Sequence, residues 1–245
     1  MNSQDRYFAS PMERIAPFSF NAEVAEVFDD MVTRSVPLYR ENQALTVELL
    51  ARLLKPQDLV YDLGCSTGSA LLQIGTQLKH LDLQLRGLDS SAPMVEKARR
   101  KMKAFGLKNA EIDEADITRV ELLPAGAVIM NYTLQFLPLE ARLPLLKKIH
   151  ASLRPGGVLI LAEKIEMDAP ELQHLITDAY YSFKRANGYS ELEISQKREA
   201  LENVLVPLTS KKQSELLTEA GFAPVETLLR WGPFATFLAA KELTL

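Results

Sequence analysis

Cysteine is nearly absent from the chain: among 245 residues there is one, Cys65. A lone thiol cannot close an intrachain disulfide, so a reducing, cytoplasmic setting is the expectation. Histidine is as sparse. His80, His150 and His174 lie far apart in sequence and make no metal-ligand pattern, so no metal is expected. No apolar run is long enough to span a bilayer, and the polar opening Met1-Asn2-Ser3-Gln4-Asp5 lacks the apolar core of a secretion signal, so no membrane association is expected. Internal repeats and low-complexity segments are missing too. So is an excess of positive charge. The 28 Lys and Arg against 32 Asp and Glu leave a net charge of −4, which argues against broad docking on a phosphate backbone and predicts no stable nucleic-acid contact.

What the chain does have is apolar material, 47% of its residues, in a length that one domain with a sizeable core can use. The informative stretch is Leu59 to Ser69, Leu-Val-Tyr-Asp-Leu-Gly-Cys-Ser-Thr-Gly-Ser. A short apolar strand ends at Asp62, a turn carrying Gly64 and Gly68 follows, and a periodic apolar helix begins. This arrangement lets backbone approach a nucleotide-like ligand closely. Cys65 sits inside the turn with no base evident beside it, which reads as a small packed residue rather than a nucleophile.

The alternation continues. Strands are predicted at Leu83–Leu88, Asn109–Glu114, Ala127–Asn131 and Val158–Ala162, the last after a sharp Arg154-Pro155-Gly156-Gly157 turn. Helices are predicted at 69–79, from the cap at Ser91 to before Gly106, and at Leu139–Leu153. Met94, Val95, Ala98, Met102 and Phe105 give the second of these an apolar stripe. Short apolar strands alternating with helices imply an α/β fold, a Rossmann-like, mostly parallel sheet with helices on both faces. Phe222–Arg230 and Phe234–Ala240 close it as an antiparallel final hairpin. Ligands of such sheets sit at the carboxyl ends of the strands. Gly64, Asp89, Asp116 and Asn131 all fall there, and Asp89 stands near the spacing expected of an acid that accepts from ribose hydroxyls.

The chain divides as one domain: residues 1–56 a helical lid, 57–164 the nucleotide-binding core, 165–208 a helical insertion, and 209–245 a final helix and strands. In the lid, helices are predicted at Ala22–Val36 and Ala44–Leu54. Tyr39 lies between them, either reaching the ligand or packing on the core. In the insertion, Pro170–Ala186 reads as helical. Ser190 and Glu193 form a capping box for a further helix on which Ile194, Arg198, Leu201 and Leu205 share one face. An arginine on an apolar stripe is either buried against a carboxylate or phosphate, or partly exposed with its stem along the stripe.

The glycine turn with its leading Asp62, Asp89, Asp116-Ile117 and the later Leu-Arg-Pro-Gly-Gly-Val-Leu resemble the class I S-adenosylmethionine-dependent methyltransferase pattern over about residues 56 to 164. The long run Phe183 to Arg198, with Arg34-Ser35-Val36-Pro37-x-Tyr39, Tyr61 to Ser66 and Thr133 to Leu137, is similar to the carboxy-S-adenosyl-L-methionine synthases over nearly the whole chain. The chain departs from the common methyltransferase turn in having Ser66 where glycine is usual.

The resemblance implies a reaction in which S-adenosyl-L-methionine and prephenate give carboxy-S-adenosyl-L-methionine, phenylpyruvate and water. It further implies a homodimer whose product passes to an enzyme that modifies the wobble uridine of tRNA. The implied binding residues are Tyr39, Gly64, Cys65, Ser66, Asp89, Ser90, Asp116, Ile117, Asn131 and Arg198. Gly64 would lie against the methionine part, Asp89 at the ribose and Asp116-Ile117 at the adenine. Arg198 would take the added carboxylate and is also the expected catalytic residue. In the expected chemistry the sulfonium acidifies its methyl group, which loses a proton and captures the carbon dioxide released from prephenate. A conventional methyltransferase, or a non-catalytic binder of the nucleotide, would share the same sheet.

Overall fold

A computed structural model describes residues 4–242, so Met1, Asn2 and Ser3 of the polar opening lie outside the described residues. Its centre is β1 (Leu59–Leu63), every residue of which is buried. The strand is flanked on both sides by parallel partners and therefore carries an unbroken apolar run rather than an alternation, Asp62 excepted. On one side stand β2 (Gln84–Asp89) and β3 (Ala110–Glu114), on the other β4 (Ala125–Asn131) and β5 (Leu153–Glu166). The final hairpin, β7 (Val225–Trp231) and β8 (Phe234–Ala240), adds antiparallel to β5, giving the order β3-β2-β1-β4-β5-β8-β7. The strand order reverses at β1 and β4. A crevice outside their carboxyl ends is where such a sheet receives a ligand.

Helices cover both faces. Against one pack α2 (Tyr39–Leu53), α3 (Ser69–Gln77) and α4 (Ala92–Ala104), through Val47, Leu50, Leu71, Ile74, Val95 and Met102. Against the other pack α5 (Leu139–Ser152) and α8 (Ser210–Glu219), through Leu145, Leu146, Ile149 and Leu217. The first helix, α1 (Ala22–Ser35), is capped by the Asn21 side chain and buries Val24, Ala25 and Met31 beside Met94 of α4. In the insertion lie α6 (Gln173–Ala186) and α7 (Glu191–Leu201). The capping box predicted for α7 is present: Ser190 Oγ accepts from Glu193 N, and the Glu193 carboxylate accepts from Ser190 N at 2.8 Å.

Five details differ from the sequence reading. Helix α2 begins at Tyr39, not Ala44, because Leu38 turns the chain through a left-handed conformation (φ 56°) and starts a helix at once. The Arg154-Pro155-Gly156-Gly157 turn is absorbed into β5 as an irregularity against β4, and β5 continues to Glu166. A two-residue strand, β6 (Leu208–Thr209), pairs with Ile165 and Glu166 and closes the insertion at its base. Phe105 is exposed and not part of the α4 stripe, since the helix ends at Ala104. Leu205 likewise lies beyond the end of α7.

Candidate active site

The carboxyl ends of β1, β2 and β4 open into a cavity of about 930 Å³, near the top of the usual range for small-molecule sites. All ten residues named above line it: Tyr39, Gly64, Cys65, Ser66, Asp89, Ser90, Asp116, Ile117, Asn131 and Arg198. They come from the carboxyl ends of the core strands and the turns that follow them, from α2 and from α7.

The glycine turn forms its floor. Gly64 N and Cys65 N both donate to Leu88 O, at 2.7 and 3.1 Å, tying the turn to β2. Gly64 has φ +78°, and a Cβ there would stand 2.3 Å from Thr133 Oγ1, so only glycine fits. At Gly68 an added Cβ would meet Ala98 and Met102 of α4, so the turn packs closely against that helix. Ser66 also occupies the left-handed region, at φ 52°, which explains why glycine is usual there. Its strained backbone is held by a 2.8 Å hydrogen bond from Ser66 N to Asp89 Oδ2. Cys65 is buried, and burial together with Asp62 and Asp89 raises its thiol pKa well above normal, which agrees with a packed residue and not a nucleophile.

The acids differ in character. Asp89 accepts from Ser66 N through one oxygen and from Ser91 N through the other, and burial still lifts its pKa. A carboxylate has about four lone-pair positions, so acceptors remain for a ligand hydroxyl. Asp116 is exposed at the rim. Its Oδ1 accepts from Thr118 N and Thr118 Oγ1, which hold its carboxyl below the usual range, while Ile117 beside it is buried wall. Asn131 is oriented from behind: Thr236 Oγ1 donates to Asn42 Oδ1 at 2.7 Å, and Asn42 Nδ2 donates to Asn131 Oδ1 at 3.3 Å, leaving the Asn131 amide N–H groups without an acceptor among the described residues. Tyr39 is half-buried at the cavity wall, with Gln43 beside its hydroxyl.

Asp62 was not among the expected site residues. It lines the cavity, it is buried, and its Oδ1 has no hydrogen-bond partner among the described residues. Burial, reinforced by Asp89, raises its pKa to about 7. An orphaned buried carboxylate calls for a positive partner. This fits a ligand that combines a nucleoside with an ammonium-bearing amino acid, as S-adenosylmethionine does. Its position two residues before Gly64 was the signal available in the sequence.

Arg198 lines the cavity but is exposed, so it is not buried against a carboxylate of the chain. The buried cation on α7 is its neighbour Lys197. Lys164 and Lys184 join Lys197 on the cavity wall. Sequence reasoning passed over all three, along with Tyr132, Tyr180 and Phe234, which form an aromatic wall with Tyr180 and Phe234 ring centres 5.1 Å apart. No three His, Cys, Asp or Glu side chains among the described residues stand close enough to hold a metal ion. No described helix is long and apolar enough to cross a membrane.

Residues 60–157 match the methyltransferase domain family. The chain is 43% identical over 238 residues to the carboxy-S-adenosyl-L-methionine synthase of Nautilia profundicola, covering 97% of this chain and 100% of that one. It is 48% identical over 226 residues to the protein of the same name from Desulfotalea psychrophila, covering 91% and 92%. Among solved structures, a putative S-adenosyl-L-methionine-dependent methyltransferase of Methanococcus maripaludis aligns with TM-score 0.62 at 18% identity, over 94% of this chain and 97% of that one. Human N-acetylserotonin methyltransferase, solved with its bound nucleotide, also gives TM-score 0.62 at 17% identity, over 97% and 63%. These two likenesses concern the fold.

Proposed function

The chain belongs to the carboxy-S-adenosyl-L-methionine synthase family, and on that premise we propose that it converts S-adenosyl-L-methionine and prephenate to carboxy-S-adenosyl-L-methionine, phenylpyruvate and water. The balance is simple. Carbon dioxide leaves the prephenate ring and joins the carbon on sulfur, and the proton given up by that carbon leaves with the ring hydroxide as water. The observation that carries this reading is the convergence of the glycine turn, Asp89, Asn131 and Arg198 on one cavity.

S-adenosylmethionine, when bound, supplies a methyl group made acidic by the adjacent sulfonium. The chain's own residues bind and orient it. Asp62 faces the ammonium, Asp89 accepts from the ribose, Ile117 covers the adenine with Asp116 at its edge, and Ser90 follows Asp89 along the same wall. Tyr39 and Asn131 donate toward the amino-acid end. Arg198 takes the new carboxylate in a bidentate pair. As an exposed side chain it can close over a ligand without first breaking an ion pair. The aromatic wall excludes water around the reacting carbon, which strengthens these charge interactions.

Further along, the product serves an enzyme that modifies the wobble uridine of tRNA, and the chain works as a homodimer. Its net charge of −4 fits delivery of a small molecule better than direct handling of tRNA.

The test is mass spectrometry of the nucleotide after incubation with S-adenosylmethionine and prephenate. A product heavier by one carbon dioxide is expected. S-adenosylhomocysteine with a methylated acceptor, or unchanged donor, overturns the proposal. Arg198→Ala should weaken binding of the carboxylated donor about tenfold more than that of S-adenosylmethionine.

A further inference from the structure

The lysines on the cavity wall are left over once the donor is placed. Lys164 projects from β5, Lys184 from α6 and Lys197 from α7, so residues far apart in sequence bring three ammonium groups to one cavity. Lys184 is 5% exposed and Lys197 8%. Lysines this buried are ordinarily paired with an anion. Here none of the three makes an ion pair among the described residues. Lys197 Nζ donates to Ser35 Oγ at 3.0 Å. Lys184 and Lys164 have the same neighbour, the Tyr180 ring, with their ammonium nitrogens 4.9 and 5.6 Å from its centre. A ring face attracts a cation but does not neutralise it.

The nearby acids act from outside the cavity and without an ion pair: Asp5 favours the charged forms of Lys184 and Lys197, and Glu193 that of Lys197. Asp5, buried behind Lys197, accepts from Tyr189 Oη at 2.5 Å and from Tyr7 N. Glu193 is committed to its capping box. Glu166 is exposed, and neither it nor the other two lines the cavity.

We infer that Lys164, Lys184 and Lys197 form an anion subsite that holds the carboxylates of the second substrate, with Tyr180 and Phe234 beside them taking its carbocycle. This rests on the reaction proposed above, which needs a dianionic partner with a six-membered ring. The donor cannot supply the missing charge: its amino-acid end faces Asp62 and the glycine turn, and its added carboxylate has Arg198. Two carboxylates against three lysines offset most of the positive charge on this wall of the cavity, and the aromatic wall offers the flat apolar surface that a ring requires. The lysines also feel one another. Burial first, then Lys197 and Lys164, bring the Lys184 pKa down to about 7, and a bound dianion would restore it.

The experiment compares the full-length wild-type chain with Lys184→Met, Lys164→Met and Lys184→Arg. Calorimetric titration of prephenate into protein saturated with S-adenosylhomocysteine, which lacks the reacting methyl group, reads the subsite without turnover, and steady-state kinetics with S-adenosylmethionine read KM for each substrate. Each Met variant should weaken prephenate binding and raise its KM by roughly tenfold or more, the loss typical of a charge-assisted hydrogen bond. Affinity for S-adenosylmethionine should stay within about twofold of wild type, and Lys184→Arg should recover most of the loss. Lys164 is only half-buried, so Lys164→Met keeps the test open should Lys184→Met fail to fold. Unchanged prephenate binding in both Met variants, or a parallel loss of S-adenosylmethionine binding, overturns the inference. Prephenate binding that depends on the lysines in a chain that makes no carboxylated product would leave the subsite standing and sink the reaction.

Discussion

Asp62 illustrates how a single residue can be costly to the fold and useful to the site. In the folded chain its carboxyl ionises near 7, in the unfolded chain near 4. Its burial therefore destabilises the fold least below pH 4, where the carboxyl is protonated in both states, and most once the pH has risen through about 7. Asp62→Asn stays neutral throughout. Its stability relative to wild type should climb between pH 4 and 7 and level off above, by an amount on the order of a few kcal/mol, read as a rising difference in melting temperature. In exchange, S-adenosylmethionine should bind roughly tenfold or more weakly. Wild-type affinity should rise between pH 6 and 8 while that of the variant stays flat. Thermal melts and calorimetry across that range check both, and a variant with unimpaired binding would remove Asp62 from the site. Ser66 is the complementary case. A left-handed serine costs about 1–2 kcal/mol, against about 0.4–1 kcal/mol that glycine loses through a freer unfolded chain. Ser66→Gly should match or slightly exceed wild-type stability in a urea melt and keep its donor affinity. A fall in affinity would show instead that the hydroxyl touches the ligand.

At the scale of elements, α1 is clamped to the ligand turn through one side chain. Asp29 Oδ1 accepts from Thr67 Oγ1 at 2.6 Å and Ser69 Oγ at 2.9 Å, and Lys101 of α4 reaches Asp29 Oδ2 at 2.9 Å. Burial alone would raise the Asp29 pKa, but Lys101 and the two hydroxyls outweigh it and hold the carboxyl below its ordinary value. Its contribution to stability is thus present above the unfolded pKa near 4 and is lost as pH falls through the lower folded value. Asp29→Ala should cost about 1.5–3 kcal/mol at pH 7 and speed amide exchange in Ala22–Ser35 and in the turn together; exchange confined to α1 would refute the coupling. None of this was legible beforehand. The strands were, because a parallel sheet writes itself as short apolar runs, and so were the caps at Ser91 and Ser190, because capping is chemistry between near neighbours. A left-handed Leu38, a two-residue β6 and a bulged start to β5 leave no periodic trace. Lysines 20 and 13 residues apart read as solvated charges until topology brings them to one cavity; only the four-residue step from Tyr180 to Lys184 hinted at a shared face.

Across the whole molecule, the cavity is roofed by segments from opposite ends of the chain. Residues before β1 and the insertion after β5 are latched to each other as well as to the sheet. Tyr189 Oη donates to Asp5 Oδ2, Arg34 Nε donates to Asn187 O at 2.8 Å, and Gln196 Nε2 donates to Phe8 O and Ser10 O. Arg142, fully buried, donates to Gln135 O and Val206 O and so fixes the end of the insertion to the loop after β4. Such a roof should open as a unit. Tyr189→Phe deletes one hydroxyl, removes its hydrogen bond to the buried Asp5 carboxylate, and should cost about 1–3 kcal/mol. Hydrogen exchange should then rise together in residues 5–12 and Glu191–Leu201 while β1 and β4 keep their protection, since sub-global opening follows contiguous packed units. The proposed sites place donor and second substrate under the same roof, so KM for both should increase in step. Faster exchange in only one of the two segments, or a KM change for one substrate alone, would mean that the latches act separately and that the roof is two lids rather than one.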